Sequence, residues 1–213
     1  MSKRDIKLVI FDVDGTLYRS REYEEHLLNK MVETIAEMLG VDLETAAMRL
    51  AEGKKVTKTV SGTVEMLGLD RSEFYSRLAE KVDVDRFIKR NDRVKSLLDG
   101  LRRRGFYVAL HTNSGKDLAQ KVLKALGVDS RSYDLIITSD DAPPKPSTEG
   151  YEKLLSHFEV EPGQALYVGD RYEVELEPAR QVGMKTALVH GVAKKIIVDY
   201  RLESIFDLDG LLR

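Results

Sequence analysis

Ile6-Lys7-Leu8-Val9-Ile10-Phe11-Asp12-Val13-Asp14-Gly15-Thr16-Leu17 is the stretch on which the fold turns. From Ile6 to Phe11 it is a short, β-branched, nearly continuous apolar run, the pattern of a strand buried on both faces of a parallel sheet. It then stops abruptly in Asp-Val-Asp-Gly. Runs of the same kind recur at Tyr107 to Leu110, Leu135 to Thr138, Ala165 to Val168 and Thr186 to Val189, each separated from the next by a segment with helical spacing. From residue 92 onward this alternation predicts an α/β domain, a doubly wound parallel sheet with right-handed crossovers.

Between Arg19 and Arg90 the pattern changes. Leu27, Met31, Ile35, Met38 and Leu39 recur at helical spacing, and further helices are expected over Leu43 to Ala51, near Val60 to Leu67, and over Ser72 to Val82 with Ser72 as the cap. The expected organisation is therefore an α/β core of residues 1–18 and 91–213, interrupted after its first strand by a smaller all-helical unit, residues 19–90. The Pro-rich piece Ala142-Pro143-Pro144-Lys145-Pro146 reads as a loop within the core.

Composition narrows the chemistry. Of 213 residues 42% are apolar and 33% charged, and the absence of cysteine excludes disulfides and thiolate metal sites. With 34 Lys plus Arg against 36 Asp plus Glu, the net charge gives no reason to expect nucleic acid or an anionic membrane as partner. The apolar run at the start is far too short for a secretion signal or a membrane span, so a cytoplasmic protein, a monomer or small homo-oligomer, is expected.

Asp12 and Asp14 stand two apart at the end of the first strand, which directs both carboxylates to one side with their backbones about 6 to 7 Å apart. Ligands of parallel α/β sheets bind beyond the carboxyl ends of the strands, where this pair falls, and Gly15 lets the chain leave tightly. Two carboxylates so placed can divide labour, one as nucleophile or metal ligand and the other as general acid and base. Asp-x-Asp-Gly alone also suits a surface turn, but the buried strand before it favours a site. A calcium loop fails, because placing Gly15 sixth puts Ile10 first and Arg21 twelfth.

Phe11-Asp12-Val13-Asp14-Gly15-Thr16-Leu17 resembles the first motif of the haloacid dehalogenase superfamily, and three further pieces follow in that family's order. His111-Thr112-Asn113-Ser114 resembles the second motif, whose Thr or Ser hydroxyl binds the transferring phosphoryl group, and Asn113 joins Thr112 as an expected phosphate-binding residue. Lys145, in Pro144-Lys145-Pro146, matches the lysine that stabilises charge on nucleophile and phosphate. Val168-Gly169-Asp170 resembles the fourth motif, whose Asp ligates Mg2+. The chain departs from the pattern where a second Asp often follows about five positions later: Glu175 stands there, with Glu173 nearby. The two are read either as supports of the metal site or as an exposed acidic first turn of a helix.

The resemblance implies a Rossmann-like core with a helical cap, a Mg2+-dependent phosphatase acting on a small phosphorylated metabolite, and an aspartyl-phosphate at Asp12. The metal would be held by Asp12, Asp170 and the Asp14 carbonyl. Phosphoryl transfer rewards this set, since catalysis consists mostly of positioning and neutralising charge on three equatorial oxygens. Family members that release halide lack an acid two residues after the nucleophile, so Asp14 favours phosphate esters. A phosphomutase and a non-catalytic phosphate-binding regulator are the alternatives. The basic stretch from Gly53 to Thr59, with Lys54, Lys55 and Lys58, reads either as a substrate-facing loop or as a solvated helix end, and His111 as a packing histidine on the opposite face from Thr112.

Overall fold

A computed structural model describes residues 6–190 and 196–212. Strands β1 (Leu8–Phe11), β2 (Tyr107–His111), β3 (Leu135–Ile137), β4 (Ala165–Gly169), β5 (Lys185–Val189) and β6 (Tyr200–Leu202) form one sheet in the order β3-β2-β1-β4-β5-β6, with every pairing parallel. The doubly wound α/β architecture expected from the sequence is therefore the observed one. β6 is an addition: Tyr200-Arg201-Leu202 carries a charge at its centre and does not stand out as an apolar run.

The alternation of side chains along β1 explains why its sequence is apolar throughout. Val9 and Phe11 enter one cluster with Val108, Leu110 and Val168, whereas Leu8 and Ile10 enter another with Ala109, Tyr151 and Tyr167. Both faces are covered by helices, so neither parity tolerates a polar residue.

Five helices lie between β1 and the crossover to β2: α1 (Arg21–Leu39), α2 (Leu43–Thr57), α3 (Val60–Met66), α4 (Arg71–Lys81) and α5 (Val84–Phe87). Side-chain oxygens of Ser20, Asp42, Thr59, Asp70 and Asp83 cap them in turn, each accepting a backbone N–H of the first turn; such caps contribute about 1 kcal/mol apiece. Two expectations are corrected here. α4 starts one residue before Ser72, on the Asp70 cap, because the Asp70 carboxylate reaches Glu73 N at 2.7 Å. α2 runs past the expected end at Ala51 to Thr57, so of the two readings of the basic stretch from Gly53 the helix end holds, with Lys58 as its left-handed C-cap.

The remaining helices, α6 (Asp92–Arg103), α7 (Lys116–Leu126), α8 (Glu149–Phe158), α9 (Glu177–Gln181) and α10 (Leu208–Leu211), belong to the α/β part. α4 packs on α7, and the buried residues Phe74, Leu78 and Ala79 of α4 join the same cluster as Phe11 and Leu118. In the register of the sheet Phe11 pairs with both Leu110 and Val168. The residues that follow these three emerge together at the carboxyl edge, where the strand order reverses between β1 and β4. Open parallel sheets bind ligands at such a switch point.

Candidate active site

Asp12 leaves the end of β1 into the interior, with 2% of its surface exposed. Its Oδ1 accepts a hydrogen bond from Lys145 Nζ at 2.6 Å, while Oδ2 is buried with no hydrogen-bond partner. Lys145 is fully buried, and its other hydrogen bonds go to the His111 carbonyl at 3.0 Å and the Tyr167 hydroxyl at 3.2 Å. The Pro-rich loop is thus the support that lowers an ammonium onto the β1 carboxylate.

Asn113 fixes that loop. Its side-chain Oδ1 accepts from Lys145 N at 2.7 Å and its Nδ2 donates to Lys145 O at 2.9 Å. The Asn113 side chain thus engages the backbone of Lys145 through both its carbonyl and its amino group, while the residue also lines the cavity beside Thr112. Thr112 instead points to Asp14, donating to Oδ2 at 3.1 Å, and Ser114 Oγ donates to the same oxygen at 3.2 Å. The Tyr18 hydroxyl donates to Asp14 Oδ1 at 2.5 Å. Burial, and then the charge of Asp12, raise the Asp14 pKa, against the lowering effect of these three donors. A carboxyl raised in this way is suited to hold and release a proton.

Asp170 follows β4. The oxygens of Asp12, Asp170 and Glu175 lie within 4.8 Å of one another, and Asp170 Oδ1 is a second buried oxygen without a partner. Gly15, at φ 95°, is where the chain turns past this group, and a Cβ there would meet Asp170 Oδ2 at 2.6 Å. Glu175 is fully buried, which excludes the exposed-turn reading. The π-helical turn Tyr172–Leu176 carries it inward, where it accepts from the N–H groups of Asp170 and Arg171, each at 3.1 Å, and from Arg171 Nε at 3.0 Å. Glu173 goes the other way: exposed, it faces Lys58 across 3.9 Å and takes no part in the acidic cluster.

Three carboxylates face two cations, Lys145 and Arg171. Burial, then the charges of Glu175 and Asp12, push Asp170 up to about 7, and burial followed by Asp12 raises Glu175. A divalent cation would reverse this repulsion. The two orphaned carboxylate oxygens, on Asp12 and Asp170, are hard donors of the kind Mg2+ takes, so the donor set fits that ion.

His111 packs as expected, edge-on against Tyr151 and Tyr167 on the face away from Thr112. Burial, then Lys145, lower its pKa well below the usual range, which keeps the imidazole neutral.

Above the acidic cluster a cavity of about 620 Å³ is walled by Asp12, Asp14, Thr112 and Asp170 below and by Tyr23, Met31, Lys54, Ser61 and Tyr75 of the inserted helices above. Lys54 therefore reaches the cavity, whereas Lys55 and Lys58 are not among its lining residues. Ser61 ties the two sides together, its Oγ donating to the Asn113 carbonyl at 2.9 Å beside the Tyr75 hydroxyl at 2.7 Å. Sequence reasoning missed Tyr18, Tyr23, Arg171 and Ser114. Ser114 stood within a quoted motif, but nothing in the spacing marks the other three.

Residues 6–183 match the family model described as haloacid dehalogenase-like hydrolase. A pyrophosphatase, PpaX, from Bacillus velezensis is 30% identical over 131 residues, 58% of this chain and 60% of its own. A phosphoglycolate phosphatase from Aquifex aeolicus is 32% identical over 130 residues, covering 59% of this chain and 60% of that protein. The match to both therefore spans less than two thirds of the relative's length. A glyceraldehyde 3-phosphate phosphatase from Methanocaldococcus jannaschii is 24% identical over 223 residues, covering 98% of this chain and 97% of that protein. Among solved structures, a phosphatase of the same superfamily from Thermococcus onnurineus superposes with a TM-score of 0.69 at 24% identity, over 97% of this chain and 98% of that one. Among the described residues no helix is long and apolar enough to cross a membrane.

Proposed function

The chain belongs to the haloacid dehalogenase-like hydrolase family, and from that premise we propose that it is a Mg2+-dependent phosphatase that hydrolyses a small phosphorylated metabolite through an aspartyl-phosphate at Asp12. The observation that carries this reading is the pairing of a buried, partnerless oxygen on Asp12 with a second carboxyl, Asp14, whose pKa is raised and which lines the same cavity.

In the first half-reaction the Asp12 carboxylate attacks phosphorus, the ester P–O bond breaks, and Asp14 gives its proton to the departing alkoxide. In the second, Asp14, now a carboxylate, takes a proton from water as that water attacks the aspartyl-phosphate; the P–O bond to Asp12 breaks and inorganic phosphate leaves. Lys145 orients Asp12 through its hydrogen bond to Oδ1, and its charge offsets the negative charge gathering on the phosphoryl oxygens. Asp12 and Asp170 would hold Mg2+, with Glu175 orienting Asp170 through its backbone N–H. When bound, the ion supplies charge neutralisation at the transferring group. Helices α1 to α5 serve as a cap that encloses the leaving group and excludes bulk water.

The test is phosphate release from a panel of phosphorylated metabolites and one aryl phosphate, with and without Mg2+, for wild type beside Asp12→Asn. Release that requires both Mg2+ and Asp12 is the expected outcome. Equal release by the variant would refute the covalent route, and isomerised sugar phosphates without free phosphate would point to a mutase.

A further inference from the structure

Among the described residues five side-chain polar atoms are buried without a hydrogen-bond partner: Asp12 Oδ2, Asp170 Oδ1, Thr16 Oγ1, Ser139 Oγ and the Tyr23 hydroxyl. The first two belong to the acidic cluster. Thr16 and Ser139 do not line the cavity, but Tyr23 does, with only 1% of its surface exposed. A buried hydroxyl left unpaired is costly, and folded proteins keep one mainly where water or a ligand completes it.

The placement of this hydroxyl says what it would meet. Ser20 caps α1 by accepting from Tyr23 N at 3.2 Å, which fixes the residue in the first turn. The Tyr23 ring stands edge-on to Tyr18 with centroids 5.9 Å apart, and the Tyr18 hydroxyl is on Asp14. Tyr23 thus sits on the side of the general acid, where the leaving group lies. Burial, and then the charge of Asp14, raise its pKa, so the group remains an O–H donor at neutral pH. Leu27, Leu28 and Met31 continue the wall as an apolar surface, and Lys54 brings a cation to the same cavity.

Resting on the phosphatase reading, we propose that Tyr23 is a specificity-determining residue whose hydroxyl donates to an oxygen on the leaving group. The substrate class is then small phosphate esters whose alcohol carries a second oxygen function, a hydroxyl or a carboxylate, next to the ester linkage. Simple alkyl phosphates leave the donor unpaired. A site built to hydrogen-bond a substrate oxygen rejects the analogue that lacks it far more strongly than an apolar pocket rejects a missing methylene.

A matched series tests this: ethyl phosphate, 2-hydroxyethyl phosphate and 2-phosphoglycolate, each with Mg2+, on wild type and Tyr23→Phe. Wild type should favour the two oxygenated esters in kcat/KM. The variant should lose at least about tenfold of that preference, with an unfolding temperature equal to or above that of wild type, because the substitution removes an orphan and breaks no hydrogen bond. A preference that survives in Tyr23→Phe, or a variant that is less stable and loses all three esters equally, would overturn the proposal by making the residue structural. Thermal protection by the same three compounds gives a second readout that needs no turnover. If wild type releases phosphate from nothing, including the aryl ester, the phosphatase reading fails, while unequal protection by oxygenated and plain esters, abolished in the variant, would still support Tyr23 as the donor, and equal protection would refute it.

Discussion

A buried ammonium is tolerable only when its hydrogens are engaged and its charge is matched. Lys145 meets both conditions, with Asp12, the His111 carbonyl and the Tyr167 hydroxyl as acceptors and Glu175 at 3.8 Å. Lys145→Met leaves Asp12 and Glu175 facing each other without their shared cation. It should cost about 3 to 5 kcal/mol in urea unfolding at neutral pH and lower phosphate release by at least about a hundredfold. A well-folded variant with near-normal turnover would remove Lys145 from the chemistry. The same cluster gives a pH signature. In metal-free protein Asp170 is raised to about 7 and Glu175 is also raised, so the folded state keeps protons that the unfolded chain has already lost. The contribution of these two groups to stability is then fully present below about pH 4 and falls as pH rises toward about 7. Because Mg2+ relieves the repulsion, its gain in unfolding temperature over an EDTA control should be larger at about pH 8 than at about pH 5; an equal gain at both would count against the assignment of these ligands. Asp12, Asp14, Lys145 and Asp170 were legible because each follows an apolar strand or sits in a recognisable loop. Glu175 was legible only as one of two readings shared with Glu173, a metal-site support or an exposed acidic helix start, and only the π-helical turn tells the inward glutamate from the outward one.

Helix α4 links the inserted helices to the sheet. It begins on Asp70, and its Tyr75 packs against Gly115 at the start of α7, where an added Cβ would come within 2.4 Å of Tyr75 Cβ. Asp70→Ala should lower stability by about 1 kcal/mol through loss of the cap, and Ser72→Ala by less; the reverse order in matched thermal melts would restore Ser72 as the cap. Gly115→Ala acts differently. Alanine fits its backbone (φ −67°, ψ 159°), so the cost is overpacking alone, about 1 to 3 kcal/mol. The displaced α4 should also disturb the Ser61 contact to Asn113, which would appear as a rise in KM together with the stability loss. The existence and type of these helices could be read from apolar spacing. Their edges could not, because Leu69-Asp70-Arg71-Ser72 offers two capping residues two positions apart, and the choice depends on which side chain reaches a free N–H.

The two parts of the chain share one core. The cluster that contains Val9, Phe11, Leu17 and Val168 of the α/β part continues without a gap through Tyr23, Phe74, Leu78 and Ile88 of the inserted segment. A side-chain hydrogen bond from Lys121 to the Ala79 carbonyl and the Lys58 to Glu173 pair add polar ties across the same boundary. From the sequence the insert reads as a separate helical unit, because local periodicity shows where a segment's pattern changes and is blind to which apolar faces meet across long separations. Shared burial has a thermodynamic consequence: loss of α4 would expose apolar surface on α7, so the insert cannot unfold without destabilising the sheet. Unfolding in urea should therefore be a single transition, with far-UV circular dichroism, weighted toward the helices, and tyrosine fluorescence, weighted toward the α/β part that carries all of the nine tyrosines except Tyr23 and Tyr75, giving coincident midpoints. An early loss of helical signal at lower urea, with the tyrosine signal intact, would mean that the cap is held to the core only weakly. Ser61 and Tyr75 would then hold the cavity closed without help from a common core, and substrate would have to supply the energy of closure.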